Sequence, residues 1–422
     1  MIDRTKAPAV QTISSITLPG VEQFALDNGV KVYAINAGEQ EVAKFELLYN
    51  AGKWYEEKNL VSDLANRMLR EGTTQHTALQ IADTFDFYGA NVNYGTGFET
   101  GGATLYSLTK QLPQVLPLLA EVFTEPIFPE TELETISRNR KQRLQVDMQK
   151  NEFLANRHFL NALFGQQHPY GRVSEPEHYD AISTHELSGF FASHYHSSNL
   201  RIIVSGKLND EIFSAINSCF GQSKAGATLP NKTHTSLPSS QLIQHTEKAD
   251  SVQSAIVIGN ISINKTHPDF LKLSVLNTLF GGYFGSRLMS NIREEKGYTY
   301  GIYSSFVSYP HAGFFEIAAE VGKDVRDATL QEIEKEIKLL RTELVEEEEL
   351  QTVKNYMCGK ILRSIDGPLK FSETLKGLLI YNQNTDYIHQ VLQAVREVTA
   401  EELQQLAVRY FDFDKMYKVT VG

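Results

Sequence analysis

The sequence predicts an α+β fold made of two homologous tandem domains, each an antiparallel-rich sheet packed with helices, and three observations carry this expectation. The first is a duplication: Leu133, Thr135 and Ile136, in a helix that opens after Pro129, recur as Leu350, Thr352 and Val353 after Glu346. Each copy follows strand-like sequence and an amphipathic helical stretch, 109–123 in one and 325–340 in the other. Upstream, 64–69 likewise corresponds to 275–280. The second is the grouping of strands and helices into runs, which favours α+β over single β-α-β steps. The third is residues 224–240, rich in small and turn-forming side chains, which read as a linker. A chain of 422 residues also exceeds what one core usually supports. The division is therefore 1–223, a linker at 224–243, and 244–422.

The elements follow in order. Strands are expected at 30–35 and 43–49, a helix at 59–70, strands within 90–106, and then the helix at 109–123. The second copy repeats this with a strand at 254–259, a helix at 268–280, strands within 299–321, and the helix at 325–340. The run from Glu346 to Glu349 opens another helix, where carboxylates suit the positive end of the dipole; it reads as a solvated terminus, not a metal site.

Composition excludes several function classes. A formal net charge of −11 disfavours nonspecific binding to nucleic acid. The basic run from Arg138 to Arg143 is a local exception, expected to pair with acidic neighbours. No apolar run is long enough for a membrane span, and the start, MIDRTKAPAVQ, lacks the apolar segment of an export signal. A cytoplasmic location is the expectation. The two cysteines, Cys219 and Cys358, provide no disulfide framework.

Chemistry concentrates between Leu279 and Tyr300, in LFGGYFGSRLMSNIREEKGYTY. Leu288, Met289 and Ile292 form an apolar helical face, Gly297 is a helix stop, and 298–307 is β-rich. Arg293 thus falls in the last helical turn and Tyr300 early in a strand. A guanidinium and a phenol aimed at one point are donors suited to a peptide carbonyl or a developing oxyanion.

The pattern GG-x-F-x-SRL-x-x-x-IREEKGY-x-Y resembles the C-terminal-domain signature of the insulinase/pitrilysin-type (inverzincin) metallopeptidases. Further resemblance lies in Leu26-Asp27-Asn28-Gly29, in Ala51-Gly52-Lys53 before Glu56-Glu57, in His168-Pro169-Tyr170-Gly171, and in Tyr195 and Asn199 before the strand at 200–204. The resemblance implies that Arg293 and Tyr300 contact the substrate carbonyl, while zinc is held by H-x-x-E-H in a homologous domain. Here the matching stretch has Asp63 and Arg67 at the histidine positions and Asn66 at that of the general base. Arginine cannot ligate a cation, and asparagine cannot accept a proton near neutral pH. The helix that should supply a third, glutamate ligand reads ISRNRKQRLQ over 136–145, without a glutamate. Asp63 and Arg67 are instead spaced for a helix salt bridge.

No other metal motif is evident. His194 and His196 would share a face if they lay on a strand and read as surface histidines, and His168 reads as structural. The resemblance further implies an edge strand at 91–96 that pairs with extended peptide, with Asn93 and Thr96 matching the pattern. There Tyr94 replaces a small residue, and Gly101-Gly102 follow unusually.

The implied role is that of the non-zinc, Arg/Tyr-bearing subunit of a two-subunit metalloendopeptidase, resembling the alpha-type chain of processing peptidases. Such a chain is inactive alone, holds no cofactor itself, and leaves zinc to the partner. Its partners would be a homologous H-x-x-E-H chain and a peptide or unfolded polypeptide substrate, with homodimers when alone. The alternative is a catalytically inert peptide-binding or scaffold protein of the same fold.

Overall fold

The computed structural model describes residues 13, 15–227 and 232–422. The start read as lacking an export signal and linker residues 228–231 lie outside the described residues. The first unit comprises β1 (Glu22–Ala25), β2 (Lys31–Asn36), β3 (Val42–Tyr49), α1 (Val61–Met68), α2 (Ala78–Phe87), β4 (Asn91–Thr96) and β5 (Gly101–Leu108). It continues with α3 (Leu112–Val122), α4 (Glu130–Asp147), α5 (Asn151–Phe164), α6 (Thr184–His194), β6 (Leu200–Gly206) and α7 (Asp210–Phe220). The second unit has β7 (Ile243–Thr246), β8 (Gln253–Ser262), α8 (Phe270–Asn277), β9 (Thr299–Ser308), β10 (Gly313–Gly322) and α9 (Arg326–Thr342). Then follow α10 (Glu347–Ser364), α11 (Pro368–Ile380), α12 (Asp386–Glu397), α13 (Ala400–Tyr410) and β11 (Tyr417–Val421).

The duplication is visible in the sheets. The first runs β1-β2-β6-β3-β5-β4 and the second β7-β11-β8-β10-β9. Apart from β1 the two orders are the same, and each contains one parallel pair, β2 with β6 and β7 with β11, among antiparallel ladders. The expected α+β architecture of two tandem domains is therefore the observed one. The edge strands β4 and β9 occupy equivalent places, and both stand at the end of their sheet.

Each sheet is covered on both faces, which is why β3 and β8 are buried along most of their length. Phe45, Leu47 and Ile202 of the first sheet pack with α1, α3, α6 and α7 of their own unit. The opposite face, with Ile35, Leu48 and Ile203, packs against Phe371, Leu375 and Leu379 of α11, from the second unit. Conversely, Val257, Ala318 and Val419 of the second sheet are covered by Ala155, Phe159 and Ala162 of α5, from the first. The units thus exchange one helix each. Residues 232–239 are tied to this seam: Leu237 N–H donates to Phe164 O at 2.9 Å, and the Trp54 indole N–H donates to Lys232 O at 3.2 Å. Among the described residues no helix is long and apolar enough to cross a membrane.

The acidic start of α10 departs from the solvated terminus expected of it. Arg287 grips Glu349 with two nitrogens, at 2.9 and 2.7 Å, so one carboxylate of the run ties α10 to the segment before Met289.

Candidate functional site

The site in the first unit begins with a cap. Glu56, buried, accepts hydrogen bonds from the Ser62 backbone N–H at 3.0 Å and its hydroxyl at 2.7 Å, satisfying the start of α1 from upstream. Burial pushes the Glu56 carboxyl up, against the pull of these bonds. Gly52 precedes it because a Cβ there would stand 2.3 Å from Phe98 O.

On α1 the side chains of Asp63, Asn66 and Arg67 have separate tasks. Arg67 Nε donates to Asp63 Oδ2 at 2.9 Å, the expected salt bridge one turn apart. Arg140, from α4, approaches the same oxygen at 3.6 Å. The carboxylate therefore faces two guanidinium groups. Asn66 is buried; its amide donates to Gly102 O at 3.0 Å and to the Tyr195 hydroxyl at 3.1 Å. Burial drives the Tyr195 phenol well above its usual range. This donor set does not fit zinc: one carboxylate is already shared by two cations, and the amide nitrogen points at a carbonyl. Among the described residues no group of three or more His, Cys, Asp or Glu is placed to hold a metal ion.

Gly101-Gly102 follow from the same packing. A Cβ on Gly102 would meet Leu47 O at 1.9 Å, and one on Gly101 would meet the Tyr195 hydroxyl at 2.6 Å. Tyr94 turns its ring inward and stacks on Phe123 at 6.1 Å between centroids. Asn93 and Thr96 fall on opposite faces of β4: Asn93 is exposed and donates to Asn91 at 2.7 Å, while Thr96 faces Ser62 of α1.

Between α1, α4, α5 and the turn at His168-Pro169-Tyr170-Gly171 lies a cavity of about 660 Å³. The sequence marked the basic helix but not this cavity, since Lys53, Arg157 and Arg172 join its wall from three other segments. The basic run does pair with acidic neighbours, Lys141 with Asp180 and Arg143 with Asp147.

His168 packs in the interior, whereas His194 departs from the surface position expected of it. His194 ends helix α6 rather than lying on a strand, and is buried, its ring stacked on Phe190 at 4.1 Å and bonded to Phe190 O at 2.9 Å. His168 is buried against Phe164, its Nδ1 accepting from the Tyr170 N–H at 3.2 Å, and burial holds its pKa down to about 4.

In the second unit, residues 289–295 form a wide helical turn in which Lys296 N–H reaches back five residues to Asn291 O at 2.9 Å. Gly297 stops it with φ of 67°, and Tyr298 N–H closes the end on Ile292 O at 3.0 Å. Arg293 lies in this last turn, its guanidinium 4.6 Å from the centroid of the Phe284 ring. Tyr300 is the second residue of edge strand β9 and is 93% exposed. Among the described residues neither side chain has a hydrogen-bonding or ion-pair partner within the chain.

The profile of the insulinase family, peptidase family M16, matches residues 31–176, and that of the peptidase M16 inactive domain matches 181–357. The chain belongs to the insulinase (M16) family. Among its relatives, the uncharacterized zinc protease YmxG of Bacillus subtilis is 23% identical, over 93% of this chain and 96% of that one. The mitochondrial-processing peptidase subunit beta of Rattus norvegicus is 22% identical, over 97% and 86%. A crystal structure of a peptidase M16 inactive domain from Pseudomonas fluorescens superposes with a TM-score of 0.86 at 26% identity, covering 95% of this chain and 98% of that one. The M16 fold thus extends over both units.

Proposed function

We propose that this M16 protein is the non-zinc subunit of a two-chain metalloendopeptidase, binding the scissile carbonyl through Arg293 and Tyr300 while a homologous H-x-x-E-H chain holds the zinc. The observation that carries this reading is the contrast between the two units. Arg293 and Tyr300 carry no carboxylate or hydrogen-bond acceptor among the described residues, Tyr300 on an open sheet edge and Arg293 in the helical turn just before that strand, so their donors are available to a substrate. In the first unit, by contrast, Asp63, Arg67 and Arg140 are joined in an ion-pair cluster and Asn66 is buried and bonded to Gly102 O. A peptide laid along β9 would present its carbonyls to the strand edge, where main-chain bonds supply affinity without strict sequence demands. A phenol and a guanidinium, both donors, would then stabilise negative charge on the carbonyl oxygen as water adds. A relative named as a subunit of a processing peptidase supports an assembled, rather than solitary, mode of action.

The test is reconstitution. The chain is mixed with a zinc-bearing relative from the same source and assayed on an unfolded polypeptide, each protein also being assayed alone. Cleavage is expected only in the mixture, and Tyr300→Phe should lower kcat by about 10²–10³-fold. Full activity of the mixture with Tyr300→Phe excludes the phenol from the reaction. Failure of any mixture to cleave leaves an inert peptide-binding or scaffold role.

A further inference from the structure

The cavity beside α1 has lost metal-binding chemistry and gained a different kind. Its wall carries six cationic side chains, Lys53, Arg67, Arg140, Arg143, Arg157 and Arg172, against two carboxylates, Asp63 and Asp147. Both carboxylates are already committed, Asp63 to Arg67 and Arg140, Asp147 to Arg143 and Lys150. Outside the wall, Glu175 takes Arg157, and Glu56 stands 3.7 Å from Arg172. Positive charge still remains in excess. On a chain of net charge −11 this is a reversal of sign, focused by the low-dielectric walls of a cleft.

The accessible part of this charge is what a ligand would meet: the Arg140 side chain is 38% exposed, so an acceptor can approach its guanidinium from the cavity. The rest of the wall bears on the size of that ligand. Leu60, Phe98, Leu144, Phe153 and Leu160 give it an apolar component that a bare inorganic anion would not use. Thr96, at the end of edge strand β4, also lines the cavity, so the unpaired strand edge leads to the guanidinium groups.

We propose that this cavity binds carboxylate side chains of an acidic polypeptide segment paired along the edge of β4. Main-chain bonds to the strand would hold the segment, and planar guanidinium groups would take its carboxylates in two-point contacts. The inference is independent of the role proposed for Arg293 and Tyr300, which lie on the other unit.

Fluorescence anisotropy on the full chain tests it, with a labelled short peptide alternating glutamate and threonine, its glutamine counterpart, and tripolyphosphate as competitor. The glutamate peptide should bind at least about tenfold more tightly than the glutamine peptide, with a preference that shrinks as salt rises. Arg140→Gln should reduce that preference to about threefold or less. Arg143→Gln, on the exposed rim, should weaken it by a smaller factor and serves as the readout if Arg140→Gln does not fold. Equal binding of the two peptides, or a preference untouched by both variants, overturns the proposal. So does tripolyphosphate binding more tightly than the glutamate peptide, which would make the cavity a site for small polyanions.

Discussion

Single residues carry most of the chemical distinction between the two units. In the first, Asp63 and Arg67 form the ion pair that their spacing on one helix predicts, and it was legible because residues four apart share a helix face. What the sequence could not supply was the neighbour: Arg140 reaches Asp63 only because α4 packs on α1, and no spacing rule announces that contact. A second residue was invisible for the same reason. Glu316 lies on β10, on the face that α5 covers, and desolvation raises its pKa from 4.5 to about 7. Because the folded value is raised, the stabilising effect of the neutral carboxyl is fully present below about pH 4.5. It is lost as pH rises through about 7. Glu316→Gln should therefore change stability little at pH 4.5 and raise it by about 1–3 kcal/mol at pH 8, measured by urea unfolding at both values. An equal effect at the two pH values would mean that this carboxyl titrates in the folded chain as it does in the unfolded one.

At the scale of elements, β3 poses the sharpest conflict between pattern and packing. Its sequence, VAKFELLY, alternates charge into the α11-facing side, yet the side chains of Lys44 and Glu46 are each only 2% exposed. They are tolerated because they face each other and α11. Lys44 Nζ lies 3.0 Å from Glu46 and donates to the Ser372 hydroxyl at 3.1 Å, and Lys376 reaches Glu46 at 3.2 Å. Ser372 and Lys376 both belong to α11, so these bonds tie that helix to the first sheet. Removing one partner leaves a buried, uncompensated charge, so Lys44→Met should cost about 3–5 kcal/mol. Replacing both, as Lys44→Met with Glu46→Leu, should recover most of that loss, since Lys376 is a third exposed and can turn to water. Denaturant midpoints of the two variants check the pair, and a double variant no better than the single would show that Glu46 has other essential partners.

For the whole molecule, the duplication was readable and the interlock was not. Recurrent residues such as Leu133 and Leu350 announce two copies, and the common strand order confirms them. An amphipathic helix, however, declares an apolar face without naming the surface it will cover. The spacing of Ala155, Phe159 and Ala162 makes α5 a helix, but nothing local states that its target is the sheet of the other unit. The exchange of α5 and α11 has a consequence for stability. Each unit alone would expose the outer face of its sheet and the apolar face of the helix it lends, so neither has a complete core. Unfolding should accordingly be a single cooperative event. Trp54, the one tryptophan in the chain, reports on it directly, because its ring stacks on His311 of the second unit with centroids 3.8 Å apart. Its fluorescence and the far-ultraviolet dichroism should give the same midpoint in urea. A site-specific protease sequence inserted between Ala225 and Gly226 makes the stronger test, since that stretch is exposed and has no regular structure. After cleavage the two pieces should elute together on size exclusion under native conditions, held by the two reciprocal helix contacts. Separation into soluble, folded halves would mean that each unit completes its own core and that the exchanged helices contribute little.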